Sequence, residues 1–239
     1  MGYMDLVNNL RAVNNEASVI NSNIVGVNRT AYKKTDYDYG GTGAHKINDS
    51  VQIPDNNLTT KNTSIDFKQG DIISTGEKTH FAINGDGFFL LQQIQDVGVN
   101  PPNLLSRDGQ FKFSNIPALG GNVLTTNSGL VVLRDNGLGA FVPITQNDFD
   151  NNNFRPSVVN PDDGTDSMKF SKNGSTIFEF TGTVSPANGM LVQGSLETSN
   201  SNLSESMVAL SLNKKRFEVM AAQLKVEQSN TDTILGIFK

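Results

Sequence analysis

Few clusters in this sequence have the residue types and spacing that chemistry requires. Asn84-Gly85-Asp86-Gly87 has the oxygen-and-glycine look of part of a calcium loop. A calcium-binding helix–loop–helix needs oxygen ligands at fixed alternate positions and a closing bidentate glutamate. Here Phe88 and Leu90 follow and no glutamate closes the loop, so the segment is expected to be a hairpin turn. Asp162-Asp163-Gly164-Thr165-Asp166 could gather a hard cation but reads more simply as a solvated acidic turn. The run from Gly70 to Gly76 is closed by Glu77, which would repel a nucleotide phosphate where a lysine is needed. Ser106-Arg107-Asp108-Gly109 has no serine elbow and no histidine nearby. The histidines are His45 and His80, neither with a carboxylate at a motif spacing, and carboxylate pairs such as Asp36 and Asp38 show no sign of sharing a cleft. With 0 cysteines, disulfides, thiolate metal sites and cysteine nucleophiles are excluded. The expectation is a protein that is not an enzyme and holds no metal or cofactor.

Composition agrees. A net charge of -5 and a sequence pI near 5.0 give no basic field for nucleic acid or an anionic membrane, and Lys214-Lys215-Arg216 is too short to supply one. No stretch approaches the roughly 20 apolar residues a membrane span requires, so direct membrane insertion is not expected. The opening Met1-Gly2-Tyr3-Met4-Asp5-Leu6 lacks the basic-then-apolar order of a secretory signal, and Leu6 stands where a myristoylation motif wants Ser or Thr.

The elements that would position any site fall into three parts. Near the start, Tyr3, Leu6, Leu10, Val13, Ala17, Ile20, Ile24 and Val27 follow alternating steps of three and four, an a/d heptad stripe. Near the end, Leu203, Met207, Leu210, Phe217, Ala221, Leu224 and Leu235 keep the same alternation, interrupted by Lys214, Gln228 and Thr231. Ser204 suits the start of that helix, which no proline interrupts from about Asn202 to about Leu235. Between the stripes the chain reads as β. Phe81-Ala82-Ile83, Phe88-Phe89-Leu90-Leu91, Phe111-Lys112-Phe113, Leu130-Val131-Val132-Leu133 and Ile177-Phe178-Glu179-Phe180 are short runs separated by glycine, asparagine and proline. Such spacing implies a mostly antiparallel sandwich or irregular barrel. The fold expected is therefore α+β, an antiparallel β-rich central domain inserted between N- and C-terminal coiled-coil-type helices. Its parts are an N-terminal helix over 1–34, an extended linker over 35–63, a β-rich domain over 64–198 and a C-terminal helix over 199–239. The polar run from Asn147 to Gly164 reads as a long loop.

Several segments carry a resemblance. Asn21-Ser22-Asn23-Ile24-Val25-Gly26-Val27-Asn28-Arg29-Thr30-Ala31-Tyr32-Lys33 resembles the N-terminal signature of the axial proteins of the bacterial flagellum, with Gly26 and Ala31 where that family usually has Ala and Gly. Asp66-Phe67-Lys68-Gln69-Gly70, Thr75-Gly76 and Phe81 to Phe89 are similar to the family's central stretch, including Asn84, Gly85, Gly87 and Phe88. Ser106-Arg107-Asp108-Gly109-Gln110-Phe111 follows, and Gly194 to Asn202, including Glu197, Thr198 and Asn200, leads into the last helix as in rod and hook proteins.

The resemblance implies a structural subunit of the basal-body rod, exported unfolded by the flagellar type III apparatus and assembled helically to transmit torque. The chain's length favours a proximal or distal rod protein over the longer hook subunits. The implied partners are copies of the chain, other axial proteins and the export apparatus, and the implied interfaces are the two stripes. A hook-type subunit or a rod assembly paralogue is the alternative within this class. A secreted glycan-binding or carbohydrate-active β domain is the alternative from another class.

Overall fold

The computed structural model describes residues 3–41, 44–48, 51–54, 58–137, 140–150 and 156–237. Among them strands outnumber helices eighteen to three, and every strand pairing is antiparallel. The α+β class with coiled-coil-type helices is thereby overturned. The chain is mostly antiparallel β-sheet with one N-terminal and one C-terminal long helix. A β-rich stretch flanked in sequence by two helices is what remains of that expectation.

The chain divides into two units, the first formed by Met1–Gly26, Lys34–Asp66 and Ser201–Lys239. It contains α1 (Tyr3–Gly26), β1 (Thr35–Gly41), β2 (Ala44–Asn48), β3 (Val51–Pro54) and β4 (Leu58–Ile65). β1 pairs with β4 and β2 with β3, so the described residues of 35–63, a span expected to be an extended linker, lie in strands. The long C-terminal helix, Leu203–Ile237, runs antiparallel to α1: Ser201 Oγ donates to Asn23 O at 3.0 Å, and Asn213 Nδ2 donates to Val13 O at 2.9 Å. Its 35 residues span about 52 Å. Asn202, not Ser204, caps it, its Oδ1 accepting from Ser204 N at 2.8 Å and Glu205 N at 3.3 Å.

The second unit comprises Val27–Lys33 and Phe67–Asn200. In chain order it contains β5 (Ile72–Ser74), β6 (Phe81–Asn84), β7 (Phe88–Gln92), β8 (Leu104–Ser106), β9 (Phe111–Ile116), β10 (Gly121–Thr126), β11 (Val131–Asp135) and β12 (Phe141–Pro143). The short α2 (Gln146–Asp150) follows, then β13 (Val158–Pro161), β14 (Lys169–Phe170), β15 (Ile177–Glu179), β16 (Val184–Pro186), β17 (Met190–Gln193) and β18 (Ser195–Glu197). We call the long C-terminal helix α3. The largest sheet has the order β14-β15-β8-β7-β11-β10-β9, with β12 on β11, and with β13 pairing β7 and β16. β7 is buried along its whole length because Phe88-Phe89-Leu90-Leu91 offers no polar face. Phe81, Ile83, Phe89, Leu91, Leu104, Phe111, Leu124 and Val132 form the core with it.

The Asn84–Gly87 segment is not a hairpin turn. β6 pairs with β17 and β7 with β8, β11 and β13, so the segment carries the chain from one sheet to another. Gly85 and Gly87 take φ of 103° and 126°, which favour glycine. At Gly87 a Cβ would lie 2.4 Å from Val158 Cγ1, so glycine is also required by packing. The second expected hairpin does form, β14 pairing with β15 around Asn173-Gly174. The polar run over 147–164 contains the end of α2 and all of β13, while residues 151–155 lie outside the described ones.

Candidate functional site

In the first unit, α1 presents two seven-residue series. Leu6, Val13 and Ile20 are buried apolar positions of the expected stripe, whereas Leu10, Ala17, Ile24 and Val27 are only partly covered. The second series, Asn9, Glu16 and Asn23, is polar and fastens the helix to its neighbours. Asn9 Oδ1 accepts from Leu58 N at 2.6 Å, and Asn23 exchanges two bonds with the Thr35 backbone at 2.8 and 2.9 Å. The Glu16 carboxylate accepts from the Tyr39 hydroxyl, from Asn213 Nδ2 at 2.5 Å and from Arg216 Nη1 at 3.3 Å. Burial together with that carboxylate pushes the Tyr39 hydroxyl's pKa well above its ordinary value.

The C-terminal helix has a covered side and an exposed side. The face of α3 toward α1 runs through Ser206, Leu210, Asn213 and Leu224, in steps that a helix brings to one side. Polar residues share this side with the leucines, and Asn213 on it donates to Val13 O and to the Glu16 carboxylate. Of the expected stripe, Leu210, Ala221 and Leu224 are partly covered, Leu203, Met207 and Phe217 are exposed, and Leu235 lies outside the residues whose side chains are described. On the opposite side, at helical spacing, stand Val208, Leu212, Val219 and Val226, exposed by 70%, 52%, 66% and 58%. Apolar residues therefore stand on both sides of the one helix, beyond the single heptad stripe expected.

In the second unit, the motif segments meet at one buried ion cluster. Lys33 and Glu197 are fully buried, their Nζ and Oε1 2.6 Å apart. Lys33 Nζ also donates to Lys68 O at 2.6 Å, and Gly70 N donates to Glu197 Oε1 at 3.0 Å. Arg107 lies 3.5 Å from Glu197 Oε2, an ion contact without a hydrogen bond, and its guanidinium sits 5.1 Å from the Phe88 ring centroid. Burial lowers the Arg107 pKa, opposed chiefly by the Glu197 charge.

The backbone knits the same place together. Ala31 N donates to Glu197 O at 2.9 Å, Thr198 N to Asp71 O at 2.8 Å, and Asn200 N to Tyr32 O at 3.2 Å. Asn200 Nδ2 donates to Lys68 O at 3.0 Å, and Gln69 accepts from Gly85 N while donating to Ile83 O. Two glycines allow the approach. A Cβ on Gly70 would lie 2.2 Å from Thr198 O, and one on Gly109 would lie 1.6 Å from Phe81 O. Of the motif residues, Tyr32, Phe88 and Glu197 are buried, while Asn28, Asn84 and Gly85 lie at the surface. Lys33, Gly70, Arg107 and Gly109 complete the cluster and its packing. Their signal was present in the quoted motifs, but nothing in linear spacing pairs position 33 with position 197.

Among the described residues no group of three or more His, Cys, Asp or Glu could hold a metal ion, and no helix is long and apolar enough to cross a membrane. Compared with protein-family models and with curated proteins, the chain matches none.

Proposed function

We propose that the chain is a structural subunit of the bacterial flagellar basal-body rod, assembling with copies of itself and with other axial proteins. The observation that carries this reading is the second apolar side of α3. Val208, Leu212, Val219 and Val226 stay in water although α3 already packs on α1 through its other side. Covering each such side chain is worth about 1.5–3 kcal/mol, which gives a repeating subunit a reason to associate. A contact between unlike surfaces of successive copies does not close on itself and builds a helical tube. The motif segments converging on Lys33 and Glu197 support the rod address, because they are the segments that resemble the axial family. The buried cluster ties the segment after α1 into the β-rich unit.

Leu212→Asp with Val219→Asp tests the reading on the purified chain by sedimentation velocity over a range of concentrations. The parent chain is expected to associate as concentration rises, and the variant to remain monomeric with an unchanged circular dichroism spectrum. A parent chain that stays monomeric at every concentration, alone and with rod proteins added, counts against the proposal.

A further inference from the structure

A groove of about 550 Å³ lies on the second unit, and none of the ion cluster's Lys33, Arg107 and Glu197 lines it. Four separate segments build its walls: the turn after α1, the β8–β9 loop, the β10–β11 turn and the β14–β15 turn. Its volume falls in the range of small-ligand sites. The side chains that line it are amides and hydroxyls, with Arg29 its cation and Asp108 its carboxylate. Ile177 is its one large apolar lining side chain.

The polar groups are held in place. Asp108 Oδ1 accepts from Thr30 Oγ1 at 2.9 Å and from Gln110 N at 3.0 Å, and among the described residues Oδ2 accepts no hydrogen bond. Arg29 Nη1 donates to Ser175 Oγ, and Asn127 Nδ2 donates to Gln110 Oε1 at 3.1 Å, orienting both amides. Burial raises the Asp108 pKa, as expected for a carboxylate with part of its hydration removed.

Ligand classes separate on these groups. A phosphate would meet one arginine and, beside it, a carboxylate that repels it. An apolar ligand or an extended peptide needs side-chain pockets, and a single isoleucine does not supply them. A polyol fits: vicinal hydroxyls donate to a carboxylate oxygen and accept from guanidinium and amide N–H groups. No lining residue is aromatic, so a sugar here is gripped by its hydroxyl edges and not stacked on a ring. We propose that this groove binds a saccharide through Asp108, Arg29 and the amides of Asn28, Gln110, Asn127 and Asn173. The proposal is independent of self-assembly, since α3 contributes nothing to the groove.

The test is a titration of the full chain, followed by amide NMR, with four hexasaccharides: maltohexaose, cellohexaose, chitohexaose and hexagalacturonate. Saturable shifts of the Asn28, Gln110, Asn127 and Asn173 side-chain amides are expected with at least one, with a Kd of about 1 mM or below. Asp108→Asn and Asn127→Ala are each expected to weaken that binding about tenfold, or about 1.4 kcal/mol. Asn127 is exposed, so its variant remains informative if Asp108→Asn changes the fold. No shift with any of the four, or binding that both variants leave unchanged, overturns the proposal.

Discussion

Glu197→Gln is the sharpest perturbation of the second unit. It keeps the shape of the side chain and removes its charge, so Lys33 and Arg107 both lose the carboxylate they share. Lys33 and Glu197 have fully buried side chains, and that of Arg107 is 4% exposed, so water does not screen the change. Breaking a buried pair from one side costs about 3–5 kcal/mol, most of it the penalty of the uncompensated charge. Lys33→Met removes a cation instead, and Glu197 keeps Gly70 N and Arg107, so the loss expected is about 1–3 kcal/mol. The order of the two variants follows from the charge count. Urea unfolding is the assay, read by tyrosine fluorescence because the chain has 4 tyrosines, Tyr32 among them, and 0 tryptophans. With a slope of about 2 kcal/mol/M, Glu197→Gln should lower the midpoint by about 1.5–2.5 M at unchanged slope. Lys33→Met with Glu197→Leu should cost less than Glu197→Gln alone, since apolar replacement of the pair removes the buried lysine charge together with its partner. A loss below about 1 kcal/mol for Glu197→Gln, or a larger loss for Lys33→Met, would refute this account of the cluster.

Three further outcomes follow from the geometry. Ala31 is buried with φ of 52°, in the left-handed region, so relief of strain should offset the lost methyl. Ala31→Gly is expected to change stability by less than about 0.5 kcal/mol in thermal melts, while Ala31→Val should cost more than about 2 kcal/mol. Gly109→Ala drives a methyl into the Phe81 carbonyl and should cost more than about 3 kcal/mol, or prevent folding, as judged by far-ultraviolet circular dichroism of the soluble fraction. The raised pKa of Asp108 means the folded chain prefers the neutral carboxyl, so its contribution is fully present below the unfolded pKa and is lost as pH rises through the folded one. Asp108→Asn should therefore stabilise the chain at neutral pH, with a gain that fades as pH falls through the carboxylate range. Urea midpoints at a series of pH values check this.

The strands were legible where local chemistry decided them. Phe88-Phe89-Leu90-Leu91 has no polar face and became the buried β7, and Asn173-Gly174 turned the chain back as its residues require. The Asn84–Gly87 segment has equally good turn residues, but positive φ says only that the chain bends, not which strand it bends toward. Residues 35–63 carry few large apolar side chains, and strand pairing there is joined by polar bonds from Asn9, Glu16 and Asn23 that no hydrophobicity count registers. On α1, Leu6, Val13 and Ile20 of the heptad stripe are buried within the chain itself, one large apolar residue per seven. On α3 the covered side includes Ser206 and Asn213, while the large residues Val208, Leu212 and Val219 face water, an arrangement the heptad spacing alone does not show. The pairing of Lys33 with Glu197 joins positions 164 residues apart and is visible only once the chain is folded.

Mass spectrometry of purified hook–basal bodies from cells that make this protein tests the central claim most directly. The account predicts that the chain is present in stoichiometric amount and survives the extraction that strips soluble and membrane proteins. It also predicts that replacing Leu212 and Val219 by aspartate removes the chain from the particle. Its absence from intact particles, in cells where the protein is abundant, would contradict the assignment to the rod.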